Sequence, residues 1–346
     1  IAATGATYVL NSPPKEPIIF DPQKINITKL NIRDEANTVG VISGLVTHNY
    51  FERIYLQLNL NARNFILLNA PEKDNIGIYG QAITTGLVNI YGTTDNIHIY
   101  SKAQTNAGTK LYIPLSSGTS SALENNFVTF KSFKTGKLSD ESSVKQIKTS
   151  ALSLEIDADI TPDAEVQLIF DQRTGDIIKT FGKGTLRIEL TNKSDFFLYG
   201  DYEVYKGDYL FTFENIVSKR LQLQNGGTIS WSGNPSAAKI DAGAIYNIRT
   251  SPAALMEYAS SSESSSETDN FKARIPVEVI VKLKGDLTEP GISFDIEFPS
   301  VDERTKTQLM AALSNQDEKN KQAFALLVLG QFTTPGNAAG WWVEVH

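Results

Sequence analysis

Three acidic residues form the densest group of side chains that could do chemistry. Glu155, Asp157 and Asp159 occupy every second position, and glycoside cleavage requires two carboxyl groups at a fixed separation. Spacing by two places all three side chains on one face of a β-strand. We therefore interpret them as a solvated acidic face and not as a catalytic pair.

Three other groups of residues could suggest a ligand site, and each has a simpler interpretation. The histidines, His48, His98 and His346, are far apart and lack metal-ligand spacing. Gly182-Lys183-Gly184 resembles part of a phosphate loop without its strand-to-helix context, so a bend or bulge in a sheet is favoured. The aromatic residues between positions 199 and 213 lack interleaved basic residues, which favours packing over base stacking. We expect no enzyme activity, no metal site and no cofactor.

The composition excludes some classes of protein. A net charge of −7 and a pI of about 5.2 argue against nucleic-acid binding, because phosphate recognition needs clustered Lys and Arg. No cysteine is present, so disulfides and thiolate metal sites are excluded. No run approaches the 18 apolar residues of a transmembrane helix. The first residue is Ile1, which suggests that a targeting segment lies elsewhere.

Alternation of apolar and polar residues dominates from about residue 25 to residue 298 and predicts strands with one buried face. It is clearest at residues 54–62, 152–160, 277–283 and 292–298. Turn residues such as Lys206-Gly207-Asp208 and Asn225-Gly226-Gly227 lie between the runs. The pattern therefore predicts a long antiparallel sheet joined by local hairpins. Its apolar face could form a sandwich, close a barrel or line a groove.

The remaining segments have different compositions. Residues 103–126 and 260–269 are rich in small polar residues and predict excursions from the sheet. Asp302 and Asn315 are suited to cap two helices, and Gly330 to end the second. Residues 341–345 alternate like a short strand. We predict a β domain over residues 1–300, a helical segment over 301–332 and a C-terminal tail over 333–346.

Residues 159–246 resemble the C-terminal domain of the TamB family, the translocation and assembly module, in a Bacteroidetes-like form. The matching elements include Thr161-Pro162-Asp163-Ala164, Gly200-Asp201-Tyr202 and Gly207-Asp208-Tyr209-Leu210-Phe211. The most specific element is Ile229-Ser230-Trp231-Ser232-Gly233-Asn234-Pro235. The likeness continues through residues 276–299 and the helices after them.

The resemblance implies an all-β fold called a β-taco, which is a sheet folded lengthwise into a U with an apolar interior, followed by short C-terminal helices. It further implies a groove that carries phospholipid as cargo through the periplasm toward the outer membrane. The expected lining consists of Leu152, Leu154, Ile156, Ile160, Val166, Leu168, Phe170, Leu186, Ile188, Leu190, Val277, Val279, Val281, Ile292, Phe294 and Ile296.

The resemblance also implies a location and a partner. Proteins of this family are expected to bridge the inner and outer membranes, with an inner-membrane anchor outside this sequence. The expected partner is an outer-membrane barrel of the Omp85 superfamily, TamA-like or its lipoprotein counterpart. Docking is expected at Trp341, Trp342, Val343 and Val345, by addition of a strand to the barrel.

Two alternatives remain open at the level of sequence. One is a chaperone or assembly module for outer-membrane proteins that moves no lipid. The other is an outer-membrane barrel or adhesin, although barrels require aromatic girdles and a polar interior.

Overall fold

The computed structural model of the protein describes residues 9–11, 18–50, 53–72, 77–115, 151–171, 176–191, 195–213, 217–259 and 271–334. The strands in these ranges are β1 (Val9–Asn11), β2 (Ile18–Asp21), β3 (Lys24–Arg33), β4 (Val39–Asn49), β5 (Arg53–Ala70), β6 (Tyr79–Thr93), β7 (Asn96–Thr105), β8 (Lys110–Pro114), β9 (Ala151–Ile160), β10 (Glu165–Asp171), β11 (Asp176–Leu190), β12 (Phe196–Phe213), β13 (Val217–Leu223), β14 (Gly227–Gly233), β15 (Lys239–Thr250), β16 (Ile275–Asp286) and β17 (Pro290–Glu297). The helices are α1 (Ala253–Ala259), α2 (Glu303–Ala312) and α3 (Gln316–Val328). The predicted all-β class with helices toward the C-terminal end is confirmed.

The chain divides into two compact units. The first comprises Ile1–Leu168, Phe181–Tyr202 and Ser230–Ala238, and the second comprises Ile169–Thr180, Glu203–Ile229 and Lys239–His346. Each unit takes segments from several parts of the sequence. The domain boundaries predicted at residues 300 and 332 stay a prediction.

In the first unit, seven strands pair side by side in the order β3, β4, β5, β6, β7, β9 and β11. All of these pairings are antiparallel except that of β7 with β9, which is parallel. The predicted meander is also interrupted where β9 pairs with β11 and β13 with β15, strands that are not consecutive in the chain, and it is wrong at the parallel step. The reason is β8, which pairs with the Tyr79–Gln81 end of β6 and leaves the edge of β7 to β9, a strand of the same direction.

The segment predicted as an excursion at residues 103–126 is ordered as sheet over part of its length. β7 extends to Thr105, and β8 begins at Lys110. Thr109 stabilises the turn between them, because its hydroxyl donates to the carbonyl of Ile83 at 2.9 Å. Small polar residues here form a tight turn and not a loop, so this prediction is wrong for residues 103–105 and 110–114. Residues 116–126, and the excursion predicted at 260–269, lie outside the described residues.

In the second unit, β12 pairs with β13, β13 with β15, β15 with β16, and β16 with β17, all antiparallel. Helix α3 packs against β17, β16 and β13, and α1 packs against α2. The apolar residues of α3, from Ala323 to Leu327, are buried. A helix therefore covers strands of this unit.

Both predicted helix caps are confirmed. The side chain of Asp302 accepts a hydrogen bond from the amide of Thr305 at 3.0 Å, and Asn315 accepts one from the amide of Asp317 at 3.0 Å. Gly330 has a φ of 73°, and its amide donates to the carbonyl of Leu326 at 3.2 Å. Because L-residues with side chains rarely adopt such a φ, glycine here ends the helix.

Candidate functional site

One face of the seven paired strands of the first unit carries a continuous apolar row. Residues paired in register across neighbouring strands point to the same side of a sheet. The row, which we call the apolar row, consists of Ile27, Gly44, Leu58, Ile90, Ile99, Leu154 and Leu190. Seven strands at ~4.8 Å give it a length of about 29 Å.

The apolar row is partly open to solvent. Every one of its residues has intermediate exposure. Intermediate exposure is also found for Ile25, Val46, Leu56 and Leu152, which lie in the neighbouring row, on the side of the row where β3 begins. Hydrophobic side chains in a monomeric core are usually more completely buried. A row of this length at intermediate exposure is therefore partly accessible apolar surface that a ligand could contact.

On the other side of the apolar row, where β3 ends, the side chains of the same face are buried. Leu60, Ala62, Phe65 and Val88 form a buried cluster, and Phe65 is 0% exposed. Beyond Ser101 the paired positions hold small side chains, as in Ala62, Gly86, Ala103 and Ala158. The apolar row thus borders a packed core along one side and solvent along the other.

Gly44 is a special position within the apolar row. It has a φ of +142°, which favours glycine over other residues. A Cβ at this position would collide with the backbone carbonyl of Gln57 on β5. The row therefore has no side chain on β4 at this register, and β4 approaches β5 closely.

Of the lining residues predicted from the sequence, those on β9 and β11 share this face. Leu186, Ile188 and Leu190 pair in register with Ala158, Ile156 and Leu154. Leu152, Leu154, Ile156 and Leu190 are half-buried, whereas Ile160, Leu186 and Ile188 are buried. Val166 and Leu168 on β10 are also buried, with exposures of 2% and 0%.

The predicted lining residues in the second unit are mostly buried. Val279 pairs with Ile296 and Val281 with Phe294, so these side chains share a face. Val277, Val279, Val281 and Ile296 are at most 1% exposed. Phe294 is half-buried, as is Phe170 on β10 of the same unit, and Ile292 is 45% exposed. Here most of the apolar face is core.

The comparison with known families agrees with this architecture. The model of the TamB C-terminal domain matches residues 28–344 of the chain. The chain belongs to the TamB family. No curated protein matches the sequence significantly.

Membership of the TamB family indicates a periplasmic, envelope-associated protein that takes part in outer-membrane assembly. In the described residues no helix is long and apolar enough to cross a membrane. The match extends well beyond residues 159–246, on which the family motifs were found, and includes six of the seven strands of the apolar row in full and β3 from residue 28 onward.

The part of the apolar row before residue 150 was missed from the sequence. Ile27, Leu58, Ile90 and Ile99 lie on β3, β5, β6 and β7, where no TamB motif was recognised. The alternation at residues 54–62 was a usable signal, because it already places Leu58 on an apolar face. Only the pairing of strands shows that these residues continue the row of Leu154 and Leu190.

The acidic face predicted on β9 is partly paired. Arg187 on β11, also missed from the sequence, contacts the carboxylates of Glu155, Asp157 and Glu189. The hydroxyl of Tyr100 donates to Asp157 at 2.9 Å, and this hydrogen bond raises the pKa of Tyr100. The hydrogen bond with Glu155 and its charge likewise raise the pKa of Arg187.

Other candidate groups have ordinary surroundings. Gly182 and Gly184 lie inside β11, as expected for a sheet. His48 is 8% exposed, and His98 stacks on Tyr91. Among the described residues no group of three potential ligands could hold a metal ion. His346 and the predicted docking residues 341–345 lie outside the described residues.

Proposed function

We propose that the apolar row is a phospholipid track, along which acyl chains pass through the periplasm toward the outer membrane without a catalytic step. The observation that supports this is the intermediate exposure of seven positions aligned across the sheet, six of them apolar side chains and the seventh Gly44, beside a packed core on one side. Membership of a family that takes part in outer-membrane assembly supports the direction.

The energetics favour acyl chains as occupants. Each methylene moved from water to an apolar surface gains about 0.8 kcal/mol. The row runs across the strands, so successive methylenes meet Leu58, Ile90 and Ile99 without a polar interruption. The strand ends beside the row are exposed, as at Lys24, Arg53 and Asn96. Polar head groups can therefore remain in water while the acyl chains lie on the row.

The proposal includes a partner. An Omp85-superfamily barrel coupled to the protein would receive the lipid at the outer membrane. An inner-membrane anchor would allow the protein to bridge both membranes. The support is family membership together with the alternation of Trp341, Val343 and Val345 in the sequence. Crosslinking from position 341 in cells should capture the barrel, and capture from residue 61 at equal yield would contradict specific docking.

The lipid track is tested by placing a charge on it. Leu58→Arg and Leu154→Arg should each lower the amount of co-purified phospholipid and its transfer between vesicles by about tenfold or more, since a cation on the row would lose hydration when acyl chains cover it. Asn61→Arg is the matched control, because Asn61 is exposed on the other face of β5.

The outcomes separate the alternatives. Folding of each variant is checked by circular dichroism and thermal unfolding. Full lipid binding and transfer by both folded row variants would overturn the proposal. Capture of unfolded outer-membrane proteins by the row, with no lipid bound, would instead favour a chaperone.

A further inference from the structure

The other face of the same seven strands carries two polar rows that no part of the lipid proposal uses. One row consists of Asn26, Gln57, Tyr91, His98 and Ser153, with the apolar Leu45 in register between Asn26 and Gln57, and the other of Ser43, Asn59, Asn89, Tyr100, Glu155 and Glu189. The two rows flank the backbone of the apolar row. We call the strip of this face that is formed by the two rows and the backbone between them the polar lane.

Two adjoining depressions lie along the polar lane. Their volumes are about 640 Å³ and 560 Å³, and Tyr91 lines both of them. Side chains of the two polar rows form the walls. Leu58, Ile90 and Leu154 also line the depressions. Their side chains are on the apolar face, so their backbone forms the floor on this side. Sites for small ligands have volumes of this order, although most are more enclosed.

The walls of the first depression are made mainly of amides. Asn26, Gln57, Asn59 and Asn89 line it, together with Lys24, Leu45 and Tyr91, and none of the described residues in its lining is a carboxylate. A side-chain amide both donates and accepts hydrogen bonds. Such walls suit a neutral ligand that carries donors and acceptors along its edges.

The second depression adds hydroxyls and carboxylates. Tyr100, Glu155, Glu189 and Asp195 line it. Arg187 contacts both Glu155 and Glu189, which offsets part of their charge. A carboxylate accepts hydrogen bonds from hydroxyl groups as well as from cations.

An aromatic platform lies between the depressions. The rings of Tyr91 and His98 stack with centroids 5.3 Å apart and an interplanar angle of 13°. Tyr91 is nevertheless 45% exposed. A stacked, exposed ring has a fixed orientation and offers an apolar surface to a flat ligand.

We propose that the polar lane binds a linear saccharide chain. A sugar ring has hydroxyl donors and acceptors around its edge and C–H groups on its faces, which matches amide walls beside an aromatic platform. Strands repeat every ~4.8 Å along the lane, so similar side chains recur along an extended chain of rings. The proposal does not depend on the lipid track, which uses the opposite face.

Other occupants fit the polar lane less well. A peptide added as a strand needs unpaired backbone groups, but β4, β5, β6 and β7 are each paired on both sides. A polycation matches the carboxylates of the second depression but not the amides and Lys24 of the first. A saccharide matches both.

The test is calorimetric titration of this chain with a linear β-1,4-linked hexasaccharide of N-acetylglucosamine. We expect binding at both low and high salt, weakened about tenfold by Tyr91→Ala because the stacking surface is lost. Tyr91→Phe keeps the ring and should retain binding. Gln57→Ala should weaken binding less than Tyr91→Ala does, since it removes hydrogen bonds only.

The matched control is Leu87→Ala. Leu87 is a 54% exposed residue on the same strand and face as Tyr91, outside the polar lane, and its removal should leave binding unchanged. Ile27→Arg places a charge on the apolar row at a residue that lines neither depression and should leave saccharide binding unchanged, so this test and the lipid test can fail separately. No saccharide binding, equal binding by Tyr91→Ala, or binding of poly-lysine alone in a salt-sensitive manner would each overturn the proposal.

Discussion

The two units contain strands with the same alternation, yet their apolar faces have different surroundings. Leu58 and Leu154 in the first unit are half-exposed, whereas Val279 and Val281 in the second are 0% exposed. Alternation determines which face of a strand is apolar. What lies over that face decides whether it becomes core or a surface for a ligand.

In the second unit the helices contribute to the closed core. Gln322 on α3 is 0% exposed, and its side chain donates to the carbonyl of Thr333 at 2.8 Å and accepts from the amide of Thr333 at 2.9 Å. Lys319 forms an ion pair with Asp295 of β17 at 3.1 Å. These contacts fix α3 and the segment after it. Leu58 in the first unit keeps intermediate exposure.

The largest expected difference between the units is their tolerance of a charge. Val279→Arg should destabilise the protein by about 4 kcal/mol or more, because an unpaired cation would be enclosed in packed core. Leu154→Arg should cost about 1 kcal/mol, since its long side chain can reach water. Denaturant unfolding monitored by circular dichroism gives both values. Equal costs would mean that the apolar row is as closed as the second unit.

A smaller contrast is expected for truncation of the same residue type. Leu327→Ala on α3 removes a side chain that is 0% exposed and should cost about 2–5 kcal/mol. Leu58→Ala should cost less, about 1–2 kcal/mol, because its side chain keeps intermediate exposure in the folded protein and less apolar surface is lost from contact. The comparison needs only the two midpoints of urea unfolding. A larger loss for Leu58→Ala would contradict the difference in packing.

The smallest effect is a pH dependence confined to the second unit. Burial tends to raise the pKa of Asp295, but hydrogen bonds from Lys319 and the amide of Ile296, with the charge of Lys282, lower it overall. A lowered pKa stabilises the folded state above the unfolded value of about 3.9, and this contribution is lost as the pH falls through the folded value. Acid should therefore lower the protection of the α3 amides, measured relative to their intrinsic exchange rates at each pH.

Asp295→Asn provides the control for this effect. The variant should show faster exchange in α3 at neutral pH and less additional change on acidification than the unmodified protein. The strands that carry the apolar row should respond equally in both proteins. An identical pH profile for α3 in the two proteins would exclude Asp295 as the cause.

Local features of the fold could be predicted from the sequence because they depend on neighbouring residues. The alternation at residues 152–160 matches β9, which spans Ala151–Ile160. The caps at Asp302 and Asn315 and the stop at Gly330 follow from short-range hydrogen bonds and backbone conformation. Helix α1, at Ala253–Ala259, was missed because it is short and has no acidic residue in its first turn.

The site could be predicted only in part, because it depends on pairings between distant residues. Leu154 and Leu190 could be placed on apolar faces, yet their alignment with Ile99 needs the parallel pairing of β7 and β9. No local pattern encodes that pairing. Exposure is similarly non-local, since the valines of β16 and the leucines of β9 have the same period.

The most direct test of the lipid track compares two neighbouring positions of β5. Leu58 lies on the apolar row, and Gln57 is exposed on the polar lane. A benzoylphenylalanine photocrosslinker placed at either position in cells should capture phospholipid from position 58 and little or none from position 57. Equal phospholipid adducts at both positions, or none at position 58 in a folded protein, would contradict the lipid track.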